Sequence, residues 1–250
     1  MAYTDDPFLA CYSLAQPRLR LRLFCFPFAG AGASIFREWS SALPPDVQVF
    51  GVQLPGRENR LLERPFTRMT VVAGAIVEVL QRYPHFPFAF FGHSVGALIA
   101  FEVARELWRC HRVGPVHLIV SGHQGPSRPP LTSPIHQLPD LQLIEELRRL
   151  GGTPRDVLEN AELMDALLPA IRADFEVAET YEYQPQTPLQ CPISVFGGLH
   201  DTSVRNSDLP AWQQETLGPC VIRMFPGDHY FIRSCRVPLL RAVAERLCIG

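Results

Sequence analysis

Short, continuous apolar runs punctuate the chain at Leu21–Phe26, Val47–Val52, residues 88–91, His117–Ser121, residues 193–196 and Cys220–Phe225. Runs of this length without polar alternation suit strands covered on both faces, as in a parallel sheet. Between them the period lengthens. Residues 70–83 carry Val72, Ile76, Val79 and Leu80 on one helical face, and residues 95–108 are apolar nearly all round, which predicts a buried helix. Strands alternating with helices predict an α/β fold with a mostly parallel sheet and functional loops at the carboxyl ends of its strands. Residues 127–188 break the alternation, with no strand pattern. Pro126, Pro129, Pro130 and Pro134 open that segment as extended chain. Leu141, Ile144, Leu147 and Leu150 then form a helical stripe stopped by Gly151 and Gly152. A second stripe runs through Ile171, Phe175, Ala178 and Tyr181, with Pro169 expected in its first turn. About a dozen residues close a parallel crossover, so this much longer segment predicts a helical lid inserted in a single domain spanning residues 1–250.

Composition narrows the function. The length of 250 residues and hydrophobic fraction of 47% suit one large globular domain with a real core. A formal net charge of -2 carries no nucleic-acid footprint. All 23 cationic side chains are arginine, scattered evenly, which fits GC-rich codon usage better than a phosphate-binding cluster. The seven cysteines, at 11, 25, 110, 191, 220, 235 and 248, show no metal-ligand spacing, so neither metal nor cofactor is expected. The first residues include Asp5 and Asp6 without an apolar leader, and no run reaches the ~18 residues of a membrane span. A soluble, reduced, cytoplasmic protein is the expectation.

The chemistry concentrates at Gly92-His93-Ser94-Val95-Gly96. This G-x-S-x-G follows a buried strand and opens a buried helix, the setting of a nucleophile elbow. Ser94 is the candidate nucleophile. In this architecture an acid and then a histidine follow the serine in chain order. His229, just after the last strand in Gly227-Asp228-His229-Tyr230, is the candidate base. Asp201, in the loop after residues 193–196, is the candidate acid, with Asp208 as the alternative. Asp228 stands too close to His229 in sequence to hold its ring from behind. The elbow directs His93 away from Ser94; His123 is a candidate for the pocket wall; His85, His111 and His117 read as surface or core residues. The oxyanion needs two donors. One is the backbone N–H of Val95; the other comes from Phe28 or Ala29, with Ala29 favoured, in the loop Phe26-Pro27-Phe28-Ala29-Gly30-Ala31-Gly32.

With these segments in hand, the chain resembles the type II thioesterases that accompany non-ribosomal peptide and polyketide synthases. The resemblance spans about residues 21–231. It rests on the loop at 26–32, on Gln53-Leu54-Pro55-Gly56-Arg57-Glu58-Asn59-Arg60, and on Val120-Ser121-Gly122 followed by Pro126-Ser127. It continues through Leu147-Arg148-Arg149-Leu150-Gly151-Gly152-Thr153-Pro154 and Pro169-Ala170-Ile171-Arg172-Ala173-Asp174-Phe175. Phe196-Gly197-Gly198 with Asp201, and Phe225-Pro226-Gly227 with His229 and Phe231, complete it. Val95, Asp228 and Tyr230 stand where other residues are commoner in that family, and none disturbs the candidate triad. The resemblance implies an α/β-hydrolase fold. It implies an editing enzyme that removes aberrant or stalled acyl and aminoacyl groups from the 4′-phosphopantetheine arm of carrier proteins. It implies carrier proteins as partners; from charge and hydropathy no nucleic-acid or membrane partner is expected, and a monomer is the expectation for the oligomeric state. Lid arginines Arg148, Arg149, Arg155 and Arg172 then either meet an acidic carrier or lie on solvated helix faces. Arg57 and Arg60 either reach the arm's phosphate or, the preferred reading, pair with Glu58 or Glu63. Rival readings are a medium-chain acyl-releasing thioesterase of a fatty-acid synthase, a general carboxylesterase, and a non-catalytic carrier-binding subunit with a relic triad.

Overall fold

The computed structural model describes residues 6–13, 18–83, 86–131 and 133–248. Its frame is a seven-stranded sheet: β1 (Leu9–Cys11), β2 (Leu21–Phe26), β3 (Val47–Val52), β4 (Phe88–His93), β5 (His117–Ser121), β6 (Ile193–Gly198) and β7 (Cys220–Phe225), in spatial order β1-β3-β2-β4-β5-β6-β7. Every pairing is parallel except the edge pair of β1 with β3. This is the α/β-hydrolase architecture.

Side chains alternate along each strand, and the two sheet faces bury two separate cores. Leu21, Leu23 and Cys25 of β2, with Val47, Val49, Ala89 and Phe91, pack against Phe36, Trp39 and the last helix, α7 (Arg236–Leu247). Phe24, Phe26, Phe50 and Phe90 point the other way, against α1 (Met69–Leu80) and α2 (Val95–His111). Phe24 stacks on Phe50 at 5.1 Å between centroids and meets Phe90 edge-on at 6.2 Å. Each such aromatic contributes roughly 1.5–3 kcal/mol by leaving water. Helix α2 runs beneath the sheet centre with eleven of its residues buried, as its unbroken apolar pattern requires.

Between β5 and β6 lie α3 (Asp140–Leu150), α4 (Arg155–Leu158) and α5 (Ala161–Glu179), and no strand among the described residues. Gly151 stops α3 at φ 78°, a left-handed C-terminal position that favours glycine. Asn160 starts α5, its side chain accepting the Leu163 N–H. Pro169 therefore sits in the interior of α5 and not in its first turn. The cap at Asn160 and the apolar pair Met164 and Leu168 carry the helix two turns further upstream than the second stripe indicated. Leu143, Leu147, Leu158, Met164, Leu168 and Ile171 make a third apolar core that belongs to this insertion alone. Tyr181 falls beyond the end of α5, with its hydroxyl 2.6 Å from Glu102 Oε1. A short α6 (Phe231–Ser234) follows β7. Among the described residues, no helix is long and apolar enough to cross a membrane.

Candidate active site

Strand β4 ends at His93, α2 begins at Val95, and Ser94 alone makes the turn at φ 56° and ψ −126°. A non-glycine residue held there carries strain on the order of 1–3 kcal/mol. The turn closes because its flanking glycines have no side chains. A Cβ on Gly92 would lie 2.2 Å from Gly96 O, and one on Gly96 2.3 Å from Phe26 O. The Ser94 N–H donates to Ser121 O at 2.8 Å, tying the turn to β5. Ser94 Oγ thus stands over the first turn of α2, where the leading N–H groups of Val95 and Gly96 have no intrahelical carbonyl to meet and favour negative charge.

His229 Nε2 lies 3.0 Å from Ser94 Oγ, and His229 Nδ1 lies 2.8 Å from Asp201 Oδ2. A carboxylate only accepts, so Nδ1 carries the proton and Nε2 faces the serine as an acceptor. Asp201 is steered in turn: Oδ1 accepts the N–H groups of Ser203 at 2.7 Å and Val204 at 3.2 Å. Its side chain is 2% exposed. The loops carrying the two residues are tied together, Leu199 N–H donating to Phe225 O at 2.8 Å and His200 N–H to Gly227 O at 2.9 Å. With Nδ1 engaged by Asp201, no place beside the ring remains for Asp208.

His93 plays a part that sequence reasoning missed. Its ring turns away from Ser94, as the elbow predicts, and is fully buried. Nε2 lies 2.9 Å from the carbonyl oxygen of His229, and Nδ1 2.9 Å from Ser121 Oγ. A carbonyl only accepts, so Nε2–H donates to it and the Ser121 hydroxyl donates to Nδ1. Burial, reinforced by His229 nearby, pushes His93 well below its ordinary 6.5 and keeps it neutral. It braces the backbone that carries His229. Nothing local in Gly92-His93-Ser94 signals this, because the contact spans 136 residues.

The remaining predicted positions sort clearly. Ala29 and Val95 border Ser94 and His229 in a cavity of 150 Å³, roofed by Phe175 and Ala178 of α5. Among the described residues no backbone hydrogen bond engages the Ala29 N–H. His123 lines this cavity; Nδ1 donates to Gln124 O at 2.7 Å, and burial lowers its pKa to about 4. His117 is a core residue, Nε2 at 2.9 Å from Ser194 Oγ, whereas His111 is exposed. His85 lies outside the described residues. Arg60 pairs with Glu63 as expected, at 2.6 Å. Arg57 does not pair with Glu58 or Glu63: both its terminal nitrogens meet Asp174 of α5, at 2.6 and 2.8 Å. Glu58 is instead engaged by Ser34, whose hydroxyl lies 2.5 Å away. The arginines of the helices between β5 and β6 are internally matched, Arg148 with Glu145, Arg149 with Glu146, Arg155 with Glu159 and Arg172 with Asp140. Among the described residues no group of three or more His, Cys, Asp or Glu is arranged to hold a metal ion.

Comparison with known proteins gives this geometry its context. The sequence profile of the thioesterase domain family matches residues 21–247. Gramicidin S biosynthesis protein GrsT of Aneurinibacillus migulanus is 45% identical, over 91% of this chain and 89% of that one. Linear gramicidin dehydrogenase LgrE of Brevibacillus parabrevis is 40% identical, over 90% and 87%. The type II thioesterase BorB from the borrelidin biosynthetic cluster superposes with a TM-score of 0.90 at 37% identity, over 98% and 99%. The name of LgrE denotes a different chemistry. In the present chain the glycine turn after β2, Gly30-Ala31-Gly32-Ala33-Ser34-Ile35, lacks the third glycine of a dinucleotide fingerprint and enters a 3-10 turn rather than an α-helix. The space beside Gly30 and Gly32 is filled by Ile171 and Glu58.

Proposed function

The chain belongs to the thioesterase domain family and is a thioester hydrolase, and from that premise we propose that it edits carrier proteins, using Ser94, His229 and Asp201 as its triad. The observation that carries the reading is the continuous relay from Ser94 Oγ through His229 to Asp201, at 3.0 and 2.8 Å, beside a roofed cavity. Ser94 Oγ attacks the thioester carbon as His229 Nε2 takes its proton. The N–H groups of Val95 and Ala29 receive the oxyanion. The tetrahedral adduct collapses, the C–S bond breaks, and the pantetheine sulfur leaves with the proton from His229. Water then attacks the acyl-enzyme with His229 as base, releasing the acid and restoring Ser94. Asp201 keeps the imidazole in the tautomer that both steps need.

The partner is a carrier protein whose 4′-phosphopantetheine arm enters under the insertion of residues 127–188, which acts as a lid. The 45% identity to a gramicidin S biosynthesis protein favours clearing of misprimed carriers over release of a finished fatty acid. The test compares acetyl-loaded carrier protein with the same acetyl group on a short pantetheine mimic. A higher kcat/KM on the carrier is expected. Equal turnover of the mimic with brisk ester hydrolysis would mark a general esterase, and a preference for medium-chain acyl carriers would mark a releasing enzyme.

A further inference from the structure

Helix α5 reaches the turn that carries Ala29 through one carboxylate. Asp174 Oδ2 accepts the Gly30 N–H at 2.8 Å and Arg57 Nη1 at 2.6 Å, while Oδ1 accepts Arg57 Nη2 at 2.8 Å. Arg57 Nη1 also donates to Ala31 O at 3.2 Å. The two side chains are only 3% and 5% exposed. Phe28 to Ala31 is a β-turn closed by Ala31 N–H to Phe28 O at 3.0 Å, with Gly30 at φ 77° in its third position. That is the type II form, which differs from type I by a flip of the middle peptide. In the flipped form Ala29 O would point where the Gly30 N–H now points, and a carboxylate there would repel it. Asp174 therefore admits one orientation of this peptide. Ile171 presses on the same turn, leaving no room for a Cβ at Gly30. A bare carboxylate beside an oxyanion hole would oppose the developing charge; the bidentate contact with Arg57 neutralises it.

We infer that Asp174 is a positioning residue for the oxyanion hole: through the Gly30 N–H and Arg57 it holds the turn in which the Ala29 N–H faces the oxygen of the Ser94 adduct. The inference rests on the roles proposed above for Ser94 and Ala29. It gives α5 a second task besides roofing the cavity, since a helix of the insertion then sets the geometry of the reacting centre.

The test is steady-state kinetics on an acyl-carrier thioester with two variants, Asp174→Asn and the double variant Arg57→Met with Asp174→Leu. Replacing a buried pair by apolar side chains of similar volume is often neutral or stabilising, yet here it leaves the Gly30 N–H unheld. Both variants should lower kcat on the order of 10- to 100-fold, less than the 10² to 10³ lost with a hole donor itself. KM should stay within about twofold, and the pH at which activity turns on should not move. Affinity for a boronic acid that bonds to Ser94 should fall with kcat, while an unreactive thioether analogue binds as before. A folded double variant with wild-type kcat overturns the inference, as does a loss confined to KM. If the double variant does not fold, Asp174→Asn, checked for a native circular dichroism spectrum, decides by the same criteria. Turnover by Ser94→Ala in this assay would instead remove the reading of the site beneath it, so the two failures are distinguishable.

Discussion

At the scale of single residues the site depends on atoms that are missing. Gly96→Ala would place a methyl group 2.3 Å from Phe26 O, so β2 or the elbow must move. The expected result is a loss of about 1–3 kcal/mol in a urea melt together with a fall in turnover larger than the stability loss explains. Asp201→Asn leaves the shape of the relay but removes the acceptor that fixes the His229 tautomer. Turnover should drop on the order of 10⁴-fold, as in the Ser-His-Asp protease template, with the melting temperature little changed; an equal drop in Asp208→Asn would transfer the role. Ser94, Asp201 and His229 are legible in the sequence because each follows the end of an apolar run, where an α/β sheet exposes its loops. His93 and Asp174 are not legible, since their partners lie 136 and 144 residues away and neither residue type announces a brace.

At the scale of elements, the insertion between β5 and β6 has two mechanical parts. Helices α3 and α4 and the first half of α5 share the apolar core around Leu143, Leu147 and Met164. The second half of α5 is fastened to the body by Asp174 and Ile171. Leu143, fully buried in the small core, is the point at which to separate them. Leu143→Ala should cost about 2–5 kcal/mol locally. Amide exchange should accelerate in α3 and α4, while β2, β4 and α2 keep wild-type protection; uniform acceleration would show one cooperative unit instead. Strands β2 to β7 are legible because continuous apolar runs leave few alternatives. The edge strand β1 is three residues long and antiparallel, too short to show a period. Helix α7 does carry Leu239, Leu240, Val243 and Leu247 at helical spacing, diluted by three arginines, but that it covers one face of the sheet emerges only in the fold. Pro169 shows the limit of pattern reading: the stripe reveals a helix, whereas its start is set by the Asn160 side chain.

At the scale of the whole molecule, buried imidazoles tie stability to pH. Burial holds His93 well below 6.5 and lowers His117 to about 4. In the unfolded chain both take a proton near 6.5; in the fold they resist it until much lower pH. Between those values the unfolded chain holds the extra protons, so stability falls as pH drops from 6.5 toward 4 and is fully present above 6.5. The slope should approach roughly 1 kcal/mol per pH unit for each histidine. Urea midpoints measured from pH 7 to pH 4.5 should show this, and His117→Gln should flatten the curve. An unchanged slope in that variant would assign the acid sensitivity elsewhere. The division of the insertion described above also bears on protein engineering. Because α3, α4 and the first half of α5 share their own core while Asp174 ties the second half of α5 to the body, residues 133–170 form a natural cassette. Grafting that stretch from a thioesterase of different acyl preference should transplant selectivity without disturbing the relay beneath, whereas a graft extended past Ile171 should import a mismatched turn and sacrifice rate for substrates of every length.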